Sequence, residues 1–127
     1  MILIIFALNC NVSQASASIA DPTEVWDLDI NGKYTGSGKA NSSNLYSNYN
    51  FTGVKKFKIQ VKNRSSKNNL KVKVLKSIDN WPDQTVSKAD IPKKGTTTWN
   101  VSVDKSAKYY IKFEAPCDFS WSIQKGK

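Results

Sequence analysis

The chain has 127 residues, 19 basic against 10 acidic, and no histidine, for a formal charge of +9. Without histidine there is no serine–histidine or cysteine–histidine nucleophile, no ordinary general base for neutral pH and no imidazole for a zinc site. Two cysteines, Cys10 and Cys117, are too few for a disulfide framework, so the length has to fold as one domain around its own core.

In chain order, residues 2–8 form an apolar run of seven, too short to cross a membrane as a helix and the size of a signal-peptide apolar region. Small residues follow. Ala15-Ser16-Ala17 has the A-x-A form of a cleavage site, and Ser18-Ile19-Ala20 is a second candidate. The expected organisation is a signal peptide over 1–17, cleaved after Ala17 or Ala20, then one domain over 21–127 of a secreted, extracellular protein. A buried N-terminal strand is the competing reading of the same run. Cleavage removes Cys10 and leaves Cys117 as a small buried hydrophobe. Lysine and asparagine richness suggests an AT-rich bacterial genome, and a Gram-positive source is inferred.

A strand is predicted over 25–30, with Trp26, Leu28 and Ile30 on its dry face. Asn31-Gly32 then reads as a hairpin turn, with a return over 33–35. Residues 36–49, rich in Gly, Ser and Asn, are predicted as the longest loop. Two-residue alternation predicts further strands near 54–62, 69–76, 84–89, 97–103, 108–115 and 119–124. Phe57, Ile59, Val61, Val86, Val101, Ile111 and Trp121 are among the residues expected inside. Residues 63–69 and 91–95 read as turns joining neighbouring antiparallel strands. About seven to eight strands with turns every 8–12 residues predict an all-β fold, a single antiparallel β-sandwich of immunoglobulin-like or jelly-roll type, with a closed barrel as the alternative.

Lys108-Tyr109-Tyr110-Ile111-Lys112-Phe113, a turn containing Pro116, and Phe119-Ser120-Trp121-Ser122-Ile123 together resemble the final hairpin of bacterial pre-peptidase C-terminal domains. The turn Pro92-Lys93-Lys94-Gly95-Thr96 is similar as well. Those domains are small secreted β-sandwiches related in shape to carbohydrate-binding modules. The resemblance covers the C-terminal third and implies a non-catalytic binding or accessory role.

Three sets of residues are candidates for a site. Lys56, Lys58, Lys62, Lys71 and Lys73 lie on the wet faces of two consecutive predicted strands. If those strands pair, the lysines form one positive plate, suited to an anionic envelope polymer or to a membrane surface; solubility and protection against aggregation explain the same lysines without a ligand. Trp81, Tyr46 and Tyr49 sit in predicted loops beside Asn, Asp and Gln, where aromatic rings can stack on sugars. Asp27, Asp29 and Asn31 match the opening of a calcium loop, but Gly38 stands where the bidentate Glu belongs. No cofactor is expected, and with a single arginine, Arg64, nucleic acid is not an expected partner. The expected function is that of a secreted, monomeric, non-catalytic module binding an anionic envelope polymer or glycan. The alternatives are a cationic antimicrobial or toxin-like effector acting on membranes, and an accessory or inhibitory partner of another secreted protein.

Overall fold

The computed structural model describes residues 14–127. The predicted signal-peptide apolar run and Cys10 lie outside these residues. Alternation of apolar and polar residues becomes eleven strands: β1 (Gln14–Ser16), β2 (Glu24–Asp27), β3 (Tyr34–Ala40), β4 (Leu45–Tyr46), β5 (Tyr49–Thr52), β6 (Lys56–Asn63), β7 (Leu70–Lys76), β8 (Gln84–Ile91), β9 (Thr96–Ser102), β10 (Tyr109–Phe113) and β11 (Cys117–Lys125). One helical turn, α1 (Leu28–Asn31), follows β2. The strands form two sheets. The front sheet runs β1-β3-β11-β6-β9, and the back sheet β2-β5-β10-β7-β8 with β4 also on β10. Every ladder is antiparallel except β1–β3 and β2–β5, which are parallel. The fold is a β-sandwich.

Between the sheets, Phe113 of β10 stacks on Phe119 of β11 with centroids 3.9 Å apart. Trp121 meets Phe51, Phe113 and Tyr34 at 5.5–5.7 Å. Phe57, Ile59, Val61, Val72, Ile111 and Ile123 are fully buried around them. Each such side chain contributes roughly 1.5–3 kcal/mol on leaving water.

Several expectations are corrected. The strand predicted over 25–30 stops at Asp27, whose Oδ1 accepts from the N–H groups of Asp29 (2.9 Å) and Ile30 (3.1 Å). Aspartate is a strong helix cap and a poor strand residue, so α1 forms and Ile30 is left 78% exposed. The segment 36–49 is mostly not a loop. Its first part is the centre of β3, where Gly36 and Gly38 lie in register with Trp121 and Phe119. A side chain at Gly38 would meet Phe119 and Leu45 at 2.8 Å, so glycine here makes room for aromatic rings and does not mark a turn. Val86 is the extra residue of a bulge: Val74 pairs with Ser87 and Leu75 with Thr85. That turns Val86 outward, 37% exposed.

The largest correction concerns connections. Only β7 and β8 form a hairpin of consecutive strands among the described residues. The turns at 63–69 and 91–95, and the one through Pro116, each carry the chain from one sheet to the other. The C-terminal pair that resembles a final hairpin is therefore an arch between sheets. Asn63 holds two of these arches together. It ends the inward row Phe57, Ile59, Val61, is 1% exposed, and donates from Nδ2 to the carbonyls of Asn68 (2.8 Å), Ile91 (3.1 Å) and Pro92 (3.3 Å). Three carbonyls that the crossings would strip of water thereby gain a partner.

Candidate binding faces

Sheet crossing decides where the lysines go. β6 belongs to the front sheet and β7 to the back, so Lys56, Lys58 and Lys62 lie on one side of the sandwich and Lys71 and Lys73 on the other. The single plate does not form, because the two strands do not pair.

The outward face of the front sheet is built as rows across strands. Ser37, Ser120, Lys62 and Thr96 share one row, and Thr35, Ser122, Gln60 and Thr98 the next. Gln124, Lys58 and Asn100 form a third. Gln60 Nε2 donates to Thr98 Oγ1 at 3.1 Å. Short side chains on β3 and β11, set between longer ones, leave an open trough of about 430 Å³ lined by Lys33, Thr35, Ser37, Gln60, Lys62, Arg64, Thr96, Ser120 and Ser122, with Gly36 and Trp121 at its floor. The five front strands contain one carboxylate, Asp118, and it is tied to Arg64 Nε at 3.1 Å. No aromatic side chain stands on the outward rows. The sequence reading missed Lys33, Arg64 and the serine and threonine rows. The signal was present in the polar half of each alternation, but which strands lie side by side was not.

The outward face of the back sheet differs. Tyr46, Lys112, Lys73 and Lys88 form one row, and Lys73 Nζ lies 3.2 Å from Glu114 Oε2. Lys71 is in register with Asp90. Tyr46 packs on Tyr110 at 6.1 Å, and the Tyr110 hydroxyl donates to Asp83 Oδ2 at 2.5 Å. Burial, and then the Asp83 carboxylate, push the Tyr110 pKa well above the ordinary phenol value. Asp83 Oδ1 also accepts from the N–H of Ile78 at 3.0 Å, so it pins the β7–β8 loop.

The three proposed sugar contacts stand in different settings. Trp81 stands on that pinned loop, 74% exposed, and does not cap the core. Tyr46 is on the back face. Tyr49 packs at 5.3 Å on Trp26 and 5.5 Å on Tyr34, as part of the wall of the core. Asp27 is occupied as a helix cap, Asp29 lies 3.7 Å from Lys125 Nζ, and Asn31 ends α1. Among the described residues no group of three His, Cys, Asp or Glu is placed to hold a metal. Cys117 is buried, and burial raises its thiol pKa, away from reactive thiolate. No described helix is long and apolar enough to cross a membrane.

No family model matches the chain, and no curated protein does. Among solved structures it is similar to the C-terminal family 6 carbohydrate-binding module of LamC, a marine laminarinase from Zobellia galactanivorans (13% identity, 67% of this chain and 74% of that one, TM-score 0.46). It is similar to a variant of a family 29 carbohydrate-binding module (16% identity, 74% and 67%, TM-score 0.41). It is also similar to PliG of Aeromonas hydrophila, a periplasmic inhibitor of g-type lysozyme (16% identity, 83% and 98%, TM-score 0.46). The sandwich itself is read from the strand pairing above.

Proposed function

We propose that this is an exported, non-catalytic binding module that holds an anionic, hydroxyl-rich envelope polymer on its front face. The observation that carries the reading is the charge and chemistry of that face. Lys33 and Lys62 line the trough of hydroxyl and amide groups, Lys58 stands in the row beyond it, and the one carboxylate of the front strands is already bound to Arg64. Ammonium groups attract phosphodiester or carboxylate charge over about a Debye length. Ser37, Gln60, Thr98, Ser120 and Ser122 offer hydrogen bonds to sugar or polyol hydroxyls. Nothing in this reading uses a cofactor or a reaction. Export is part of the proposal. Cleavage after either Ala17 or Ala20 removes β1, whereas cleavage after Ala17 keeps the paired hydrogen bonds between Ser18 and Tyr46, at 2.7 and 3.0 Å.

Co-sedimentation of the protein with purified Gram-positive walls, with and without teichoic acid, tests the reading. Binding should need teichoic acid and collapse between roughly 50 and 300 mM salt. Absence of binding at low salt would overturn it, and leakage of dye from anionic vesicles at the same concentration would favour a membrane effector instead.

A further inference from the structure

The front sheet ends at β9, with nothing beyond it among the described residues. Gly95 O accepts from Asn63 N–H, and Val103 N–H donates to Lys55 O, both at 2.9 Å. In an antiparallel ladder each residue aims both backbone groups to the same side, and the sides alternate along the strand. Odd-numbered residues of β9 therefore bond to β6. Thr96, Thr98, Asn100 and Ser102 aim their N–H and C=O groups off the sheet.

Exposed edges invite another strand, and proteins blunt them with lysine, proline, bulges or shortness. The other edges here are blunted. β1 has three residues, and β3, the edge that signal-peptide cleavage leaves, carries Lys39 and two glycines; β2 has four residues, with Glu24 and Asp27 in it, while β8 carries Lys88, Asp90 and the bulge at Val86. β9 has seven residues, Thr-Thr-Thr-Trp-Asn-Val-Ser, with no charge, no proline and no bulge. In a chain of charge +9, this is the long edge strand with no charged side chain of its own.

We propose that β9 pairs antiparallel with β9 of a second copy, making a two-fold dimer with one continuous front sheet, in place of the monomer expected from the sequence. A strand is self-complementary in this way when the two-fold axis passes through one residue. With the axis at Trp99, Thr98 faces Asn100 and Thr96 faces Ser102, all four with free backbone groups, so every outward donor and acceptor finds a partner. The same register brings the turn bearing Lys94 beside Asp104 of the second copy, with Lys93 and Lys105 beyond it. The outward rows of Thr96, Thr98, Asn100 and Ser102 from both copies then meet, which doubles the length of the polar face. The dimer stands on the edge alone, and its failure would leave the single-copy reading of the front face untouched.

Sedimentation velocity of the wild type from 1 µM to 1 mM, with amide hydrogen exchange, tests it. A concentration-dependent dimer is expected, in which Thr96, Thr98, Asn100 and Ser102 become protected and lose protection on dilution. Thr98→Pro removes an outward donor without touching the β6 ladder, and should give a monomer with unchanged circular dichroism. Thr98→Lys combined with Asn100→Lys, which sets like charges across the seam, should do the same. A monomer at 1 mM, a dimer that survives both variants, or a dimer whose four amides stay unprotected would each overturn the proposal.

Discussion

The two outward faces carry similar numbers of lysines, but on one of them carboxylates stand against those lysines and on the other they do not. On the back face Lys73 is held by Glu114, Lys71 lies across from Asp90, and the loop carboxylate Asp83 stands over Tyr110. On the front face Lys33 and Lys62 border an open trough of hydroxyl and amide groups, with Lys58 in the next row. The difference teaches that a lysine count along a sequence says little about a field. What matters is which strands share a sheet, and where the few carboxylates of the chain fall.

Both faces rest on one floor, and breaking that floor should have the largest effect. Phe119→Ala separates the stacked pair joining the sheets, and should cost about 3–5 kcal/mol of stability in urea unfolding, whichever face is being studied. Asn63→Ala should cost about 1–3 kcal/mol, because it strands the buried carbonyl of Ile91 and loosens the arches through 68 and 92. A loss below about 0.5 kcal/mol would mean that the arches hold themselves.

Charge reversal then separates the faces. Lys58→Glu with Lys62→Glu should weaken binding to teichoic-acid-bearing walls at least tenfold, about 1.4 kcal/mol. Lys71→Glu with Lys73→Glu should leave binding within about twofold, although the net charge change is identical. Neither pair should shift stability by more than about 0.5 kcal/mol. Equal losses from both pairs would mean that only net charge matters.

The smallest expected effect is alkaline and belongs to the back face. Burial, and then the Asp83 carboxylate, hold the Tyr110 phenol neutral to a higher pH than an ordinary tyrosine. The stability this contributes is fully present below the pKa of an unfolded tyrosine and is lost as pH rises beyond it. Tyrosinate absorbance should show Tyr110 ionising after exposed tyrosines, and Asp83→Asn should bring it back toward the ordinary range. No change in that variant would mean burial alone sets the shift.

Much of this was legible. Phe57-Ile59-Val61, Leu70-Val72-Val74 and Phe119-Trp121-Ile123 are strands with the dry faces their alternation predicts. What failed has a common physical cause. Alternation reports which side chains of one strand face inward, and nothing about its neighbour. A short polar connection reads locally as a hairpin, whereas among the described residues of this sandwich most such connections cross between sheets. The lysine plate inherited that error, and so did the turn at 91–95. Gly36 and Gly38 hid β3 because their role is to sit opposite Trp121 and Phe119. The one local hint of crossing was Asn63, a polar residue at the end of an inward apolar row.

The most direct test of the central claim is an amide chemical-shift titration of the ¹⁵N-labelled protein with soluble poly(glycerol phosphate) at low salt. The account predicts shifts concentrated on Ser37, Gln60, Lys62, Thr98, Ser120 and Ser122, with Lys73, Lys88 and Lys112 unmoved. Shifts centred on Tyr46, Lys73 and Lys112, or spread evenly over both faces, would contradict it.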